Sequence, residues 1–208
     1  MDNYDGCYFP NKLGRIVLLA FEEVMGKNGL NSILNLSGLS FLIDNLPSVD
    51  DESAIPFEIF GRLQSSMEKG YGPHGGRGLA LRAGRVFFTS GLRAYGLELG
   101  LNDTDFRLQP PELKLMSVLH TMTDFFNEQT NQAITVEESD HKILWQVGQC
   151  PWCWGRHEFE PVCQFAVGIL QEALYWISGG KFYNVAEETC VAQGDRACLF
   201  MIDRVPLS

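Results

Sequence analysis

Apolar residues fall at Leu13, Ile16, Val17, Ala20, Phe21 and Val24, a 3.6-residue spacing that predicts an amphipathic helix starting after Pro10. Asn11 caps its start in this reading, and Gly26 or Gly29 ends it. Leu18, Leu19 and Met25 widen the apolar stripe beyond one face, as burial on two sides requires, for example against a second subunit. A shorter helix over 32–43 and a polar loop over 46–53 follow. Pro56 opens another helix, to about residue 67.

The stretch Tyr71-Gly72-Pro73-His74-Gly75-Gly76-Arg77-Gly78 holds four glycines. It lacks the Gly-Lys-Ser/Thr ending of a phosphate loop, and Leu81 stands where a dinucleotide fingerprint needs its third glycine. It reads as a hinge before a helix over 79–95. That helix carries Gly84 and Gly91 one heptad apart, small enough to let another backbone approach. A further helix begins at Pro110-Pro111 and shows Leu115, Met116, Leu119, Met122, Thr123 and Phe126.

From residue 134 the period changes from helical to alternating. Ile134-Thr135-Val136 and a run over 141–147, in which Ile143, Trp145 and Val147 alternate, predict two strands. A helix over 162–177 closes at Gly179-Gly180, and strands over 182–192 and 197–203 make a hairpin around Gly194-Asp195. The expected fold is α+β: N-terminal helices packed on a C-terminal antiparallel β-β-α-β-β sheet, in one domain of 208 residues. Residues 1–130 form its helical dimerisation and pocket half. Residues 131–208 form its metal-binding half.

Composition narrows the function. A formal charge of −10 with no basic stretch argues against a nucleic-acid partner. Hydrophobic residues at 45% and charged residues at 20% are ordinary globular proportions, which argues against disorder. No apolar run approaches the ~20 residues of a membrane span. The acidic start Met1-Asp2-Asn3-Tyr4-Asp5 differs from a basic secretory leader, so a cytoplasmic protein is expected.

Five of the six cysteines, Cys150, Cys153, Cys163, Cys190 and Cys198, lie in the last third. In a reducing compartment that clustering points to metal binding or thiol chemistry. A three-residue hairpin loop would place Cys190 directly opposite Cys198, with Cβ atoms ~4.5–5.5 Å apart, close enough for two thiolates to share one zinc ion. Strict alternation puts Glu188 on the face of Cys190; Glu187 reaches it only across a bulge. Cys163, leading a helix, is a further ligand candidate because a helix N-terminus stabilises thiolate. Cys150-Pro151-Trp152-Cys153 either assists that site, forms a second one with Cys163 (even an iron–sulfur cluster), or is a structural turn; a redox pair is disfavoured because Trp154-Gly155-Arg156-His157 intervenes before the next helix.

Pro161-Val162-Cys163, Gly168 and the run Glu187-Glu188-Thr189-Cys190-Val191-Ala192-Gln193-Gly194-Asp195-Arg196-Ala197-Cys198-Leu199-Phe200-Met201-Ile202 resemble the 4-vinyl reductase domain family. That resemblance implies a fold shared with vesicle-tethering TRAPP subunits, dimeric through its helices. It implies a structural zinc on Cys163, Glu187, Cys190 and Cys198, the motif favouring Glu187 over Glu188. Cys150 and Cys153 match a CxxC of other family branches and stand as a second or alternative metal site.

The leading functional expectation is a small-molecule-binding domain for a hydrophobic or aromatic ligand, acting as sensor or carrier and dimeric. Its pocket candidates are Phe87, Phe88, His120, Phe125, Trp145, Trp152 and Trp176, with His120 placed to hydrogen-bond a ligand hydroxyl. One alternative is a tetrapyrrole vinyl reductase or accessory, which would need an iron–sulfur cluster or a partner as electron source. The other is an assembly protein. No catalytic residue is assigned.

Overall fold

The computed structural model describes residues 6–101, 103–139 and 141–207; the acidic start over 1–5 lies outside them. Two short strands open the fold, β1 (Tyr8–Pro10) and β2 (Ser53–Pro56), antiparallel with Phe9 opposite Ile55. Only Ser53 of β2 falls in the expected loop, Pro56 ends β2 rather than opening the next helix, and strands of three and four residues are too short to show a period of two. Between them runs α1 (Asn11–Leu36), whose backbone leaves helical geometry at Gly26. Asn11 is the first helical residue and not a cap. Its backbone N–H and that of Lys12 donate to the carbonyls of Glu52 and Asp50, both at 2.9 Å, so the loop before β2 satisfies the helix start. Leu13, Val17, Leu18, Ala20 and Phe21 enter the core, whereas Leu19 is 41% exposed.

Next come α2 (Phe57–Tyr71) and α3 (Pro73–Tyr95), with Gly72 alone between them. The expected glycine-rich hinge is thus helical from Pro73 onward, a correction with a packing cause. A Cβ on Gly76 would stand 2.6 Å from the Glu68 backbone, so glycine there lets α3 fold tightly back on α2. A short α4 (Thr104–Leu108) precedes α5 (Pro111–Gln129).

The C-terminal sheet has the order β3-β4-β6-β5, all neighbours antiparallel. β3 is Ile134–Glu138, β4 Lys142–Val147, β5 Val185–Thr189 and β6 Cys198–Asp203. Ile143, Trp145 and Val147 alternate inward opposite Ile202, Phe200 and Cys198, and all six are buried. Between β4 and β5, α6 (Gln164–Ile177) packs against both the sheet and α3. The molecule is therefore a mixed α+β fold with helices on an antiparallel sheet.

The α3–α6 contact is backbone against backbone. A Cβ on Gly84 would lie 2.0 Å from the Phe165 carbonyl oxygen, and one on Gly168 would lie 2.0 Å from that of Leu81. Gly91, expected to serve the same purpose as Gly84, has nothing within 4 Å of its would-be Cβ. These two environments predict opposite outcomes. Gly168→Ala forces the helices apart and lowers unfolding free energy in urea by about 1–3 kcal/mol. Gly91→Ala, in open space on the same helix pair, raises it by about 0.5–1 kcal/mol.

Candidate metal centre and ligand cavities

Three segments meet at the N-terminus of α6. Cys163 occupies the cap position of that helix, where the first-turn N–H groups favour negative charge. The CxxC segment forms a single 3₁₀ turn, Pro151–Cys153, placing Cys150 and Cys153 beside it. From the third segment, β5 brings Glu187, and the chain just beyond it brings Cys190 to the start of β6 at Cys198. All six cysteines are free thiols, and the five here are fully buried or nearly so.

The β5–β6 connection is not the expected three-residue loop. It contains a 3₁₀ turn, Val191–Gln193, and Gly194 in left-handed geometry. The Asp195 carboxylate accepts from the Cys190 N–H at 2.9 Å, which fixes the bend. The β5–β6 register shifts between Glu187 and Thr189. At this irregularity one Glu187 oxygen accepts from the Cys163 N–H at 2.7 Å. The other oxygen is buried with no hydrogen-bond partner among the described residues. Glu188 is exposed.

The sulfur atoms lie close together. Cys163 is 3.7 Å from both Cys190 and Cys198, and Cys190 is 3.9 Å from Cys198. Cys150 approaches Cys163 to 3.4 Å, and Cys153 approaches Cys198 to 3.5 Å. Two overlapping groups each keep their ligand atoms within 4.8 Å: Cys163, Glu187, Cys190 and Cys198, and Cys150, Cys153, Cys163 and Cys198. Burial pushes the Cys150 thiol up to about 11 and the Cys163 thiol well above its ordinary value. Hydrogen bonds from Cys150 and the neighbouring thiols hold Cys153 low. Burial also raises the Glu187 carboxyl to about 7. A group of five thiols and one carboxyl so placed favours further ionisation only when a cation is present to share the charge.

The N-terminal helices hold this junction from outside, and of the residues involved only Trp152 is singled out by the sequence. A Cβ on Gly61 would stand 2.1 Å from the Trp154 carbonyl oxygen, so glycine admits the CxxC segment against α2. The Gln64 amide donates to the Val162 carbonyl. Arg156, just past the CxxC, pairs with Glu68 at 2.9 Å and Glu158 at 2.8 Å. Trp152 stacks on Phe165 with ring centroids 3.8 Å apart and touches Phe9 and Phe60.

The pocket candidates separate. Phe87, Phe88 and Phe125 line an apolar cavity of about 40 Å³ between α3 and α5, together with Leu13 and Tyr95. The Tyr95 hydroxyl is buried without a partner among the described residues, and burial raises it to about 12. Trp145 and Trp152 line a second cavity of about 20 Å³ under the sheet. Trp176 is half-buried between Phe88 and Phe106. His120 is exposed on α5 and lines neither cavity, so it does not hold the position expected of it.

No protein-family model matches the chain, and no curated protein matches it. Solved structures do. An Fe(II) unliganded H-NOX protein from K. algicida is 12% identical with a TM-score of 0.62, the match covering 96% of this chain and 97% of that one. An H-NOX protein from S. oneidensis in the Fe(II)NO ligation state is 14% identical with a TM-score of 0.57, covering 93% and 99%. A protein studied for heme redox potential under porphyrin distortion is 10% identical with a TM-score of 0.60, also covering 93% and 99%.

These matches correct two expectations. The 4-vinyl reductase resemblance, carried by about sixty C-terminal residues, gives way to an H-NOX likeness over nearly the whole chain. With it falls the cofactor expectation of zinc or an iron–sulfur cluster, since the matched structures are described by heme and Fe(II).

The residues present do not fit heme. All four histidines, His74, His120, His141 and His157, are exposed. Large ligands occupy cavities of about 300–1,000 Å³, whereas the two apolar cavities here measure about 20 and 40 Å³. Aromatic rings fill the space between α3, α5 and α6: Phe87 stacks near Phe126 and packs on Phe165. Two larger grooves, of about 420 and 480 Å³, are open and mainly polar. Only the second is bordered by a histidine, His157, and its walls include Arg62, Lys69 and Glu158. Neither apolar cavity among the described residues has room for a tetrapyrrole substrate. Hemin titrated into the protein is therefore expected to keep its free-solution spectrum; a Soret band saturating at one equivalent would show that the aromatic core opens.

Proposed function

We propose that this chain is a small-molecule-binding sensor or carrier module on the H-NOX fold, with a thiolate metal centre pinning its C-terminal half and a ligand much smaller than a porphyrin. The observation that carries the reading is the buried, unpartnered oxygen of Glu187 beside Cys163, Cys190 and Cys198. An ionised carboxylate oxygen without a donor is costly in the interior, and a cation against three thiolates removes that cost. The ligands in this reading are Cys163, Glu187, Cys190 and Cys198, with Cys150 and Cys153 alongside. A sulfur-rich ligand set of this kind suits a thiophilic divalent ion.

Residues 1–130 then act as the ligand and dimerisation half. The cavity bordered by Phe88, Phe125 and Tyr95 takes a small, largely apolar molecule, and the Tyr95 hydroxyl offers it one hydrogen bond. Exposed Leu19 and Leu36 on α1 supply an apolar surface for a second copy. No helix among the described residues is long and apolar enough to cross a membrane. A cytoplasmic setting keeps the thiols reduced and available.

Native mass spectrometry with elemental analysis of gently purified protein tests all of this at once. We expect a thiophilic metal, a dimer mass and no heme adduct. A metal-free folded protein would overturn the metal centre, and a heme adduct would overturn the small-ligand reading. Cys198→Ser is expected to abolish metal retention and lower Tm by about 10 °C or more. Structural metal binding is folding free energy, and each kcal/mol is worth about 2–4 °C in a domain of this size.

A further inference from the structure

The two overlapping ligand groups share two members, Cys163 and Cys198. Each group explains something the other leaves over. An ion on Cys163, Glu187, Cys190 and Cys198 accounts for the unpartnered Glu187 oxygen, yet leaves Cys150 and Cys153 buried as spectators against the shared sulfurs. An ion on Cys150, Cys153, Cys163 and Cys198 accounts for the CxxC turn, yet leaves Glu187 and Cys190 buried with nothing to bind.

Distances decide between one centre and two. Tetrahedral metal–thiolate sites have bonds of about 2.3 Å, which sets sulfur–sulfur edges of about 3.8 Å. The Cys163–Cys190–Cys198 triangle has edges of 3.7, 3.9 and 3.7 Å, one complete face of such a tetrahedron. Outside that triangle, Cys150 stands 3.4 Å from Cys163 and Cys153 stands 3.5 Å from Cys198, so each approaches one of the two shared sulfurs. The two ligand groups therefore meet along the Cys163–Cys198 edge, each with two further ligand atoms within 4.8 Å of it.

We infer that the cluster holds two thiophilic divalent ions bridged by the Cys163 and Cys198 thiolates. Cys150 and Cys153 complete the coordination of one ion, and Glu187 and Cys190 complete that of the other. The inference rests on the metal-centre reading above and extends it from one ion to two. Charge is consistent with this: five thiolates and one carboxylate carry −6, two divalent ions carry +4, and the remainder is −2. One divalent ion on four anionic ligands leaves the same −2, but then two acidic groups stay buried outside its shell. Binding both ions releases the thiol protons to solvent, and no redox step is involved.

The test uses the whole chain, stripped of metal under reducing conditions, washed with a weak chelator and titrated with cobalt(II). Two cobalt ions per chain are expected by native mass spectrometry. The thiolate-to-cobalt absorption should rise to two equivalents, and the paramagnetic signal per cobalt should fall on the second addition as bridging thiolates couple the ions. The double variant Cys150→Ser/Cys153→Ser and the single variant Cys190→Ser should each retain one ion, by opposite halves of the cluster. Saturation at one ion with an undiminished signal per cobalt overturns the bridged pair and leaves the single-ion reading standing. No retained cobalt overturns both. Full retention of one ion by Cys190→Ser, with total loss in Cys150→Ser/Cys153→Ser and one ion in the unmodified chain, would place that ion on the CxxC group alone.

Discussion

The junction at the N-terminus of α6 is the constraint around which the molecule is arranged. A helix start, a 3₁₀ turn and the end of a β-strand arrive there from three directions, each delivering sulfur into a space closed to water. Thiols are tolerable as small hydrophobes in a core, so burial alone would not require this convergence. A carboxyl oxygen buried beside them, with only thiols close by among the described residues, changes the balance, because its ionised form needs a counter-charge. The helix N-terminus supplies part of what is needed, through the Cys163 N–H on the other Glu187 oxygen. In the proposed metal-centre reading a cation completes the compensation.

The fold around this point is unusually dependent on absent side chains. α3 and α6 cross where Gly84 and Gly168 bring each helix against carbonyl oxygens of the other, and Gly61 does the same for α2 and the CxxC segment. Close packing of this kind leaves aromatic rings to fill the remaining space, as Phe87, Phe126, Phe165 and Trp152 do. The backbone course resembles that of the heme-linked structures, and the interior described here is occupied by the chain's own side chains.

Much of the secondary structure was legible because periodicity is a local property. The helices now seen over Phe57–Tyr71, Pro111–Gln129 and Gln164–Ile177, and the strands β3, β4 and β6, each carry their own apolar pattern. What failed were features set by a distant partner. The glycines after Pro73 look like a loop until the Glu68 backbone is placed beside them. His120 follows buried Leu119 by one residue, and the ~100° turn between neighbours carries it to solvent. Motif resemblance pointed to the wrong family because a helix-leading cysteine and a cysteine-bearing hairpin specify a local geometry, not the remaining two thirds of the chain. Gln64, Arg156 and Tyr95 had no signal in the sequence at all, since their importance lies in the residues opposite them.

The contacts that join Phe9 and Phe60 to Trp152, and Gln64 to Val162, span roughly half the chain or more. During synthesis the first helices therefore emerge long before the surfaces they are shaped to cover. Their apolar faces must wait, exposed or chaperoned, until residue 162 has left the ribosome. The late-arriving sulfur segment is thus also the latch that ends this vulnerable interval, so that maturation of the whole chain is timed by its last third.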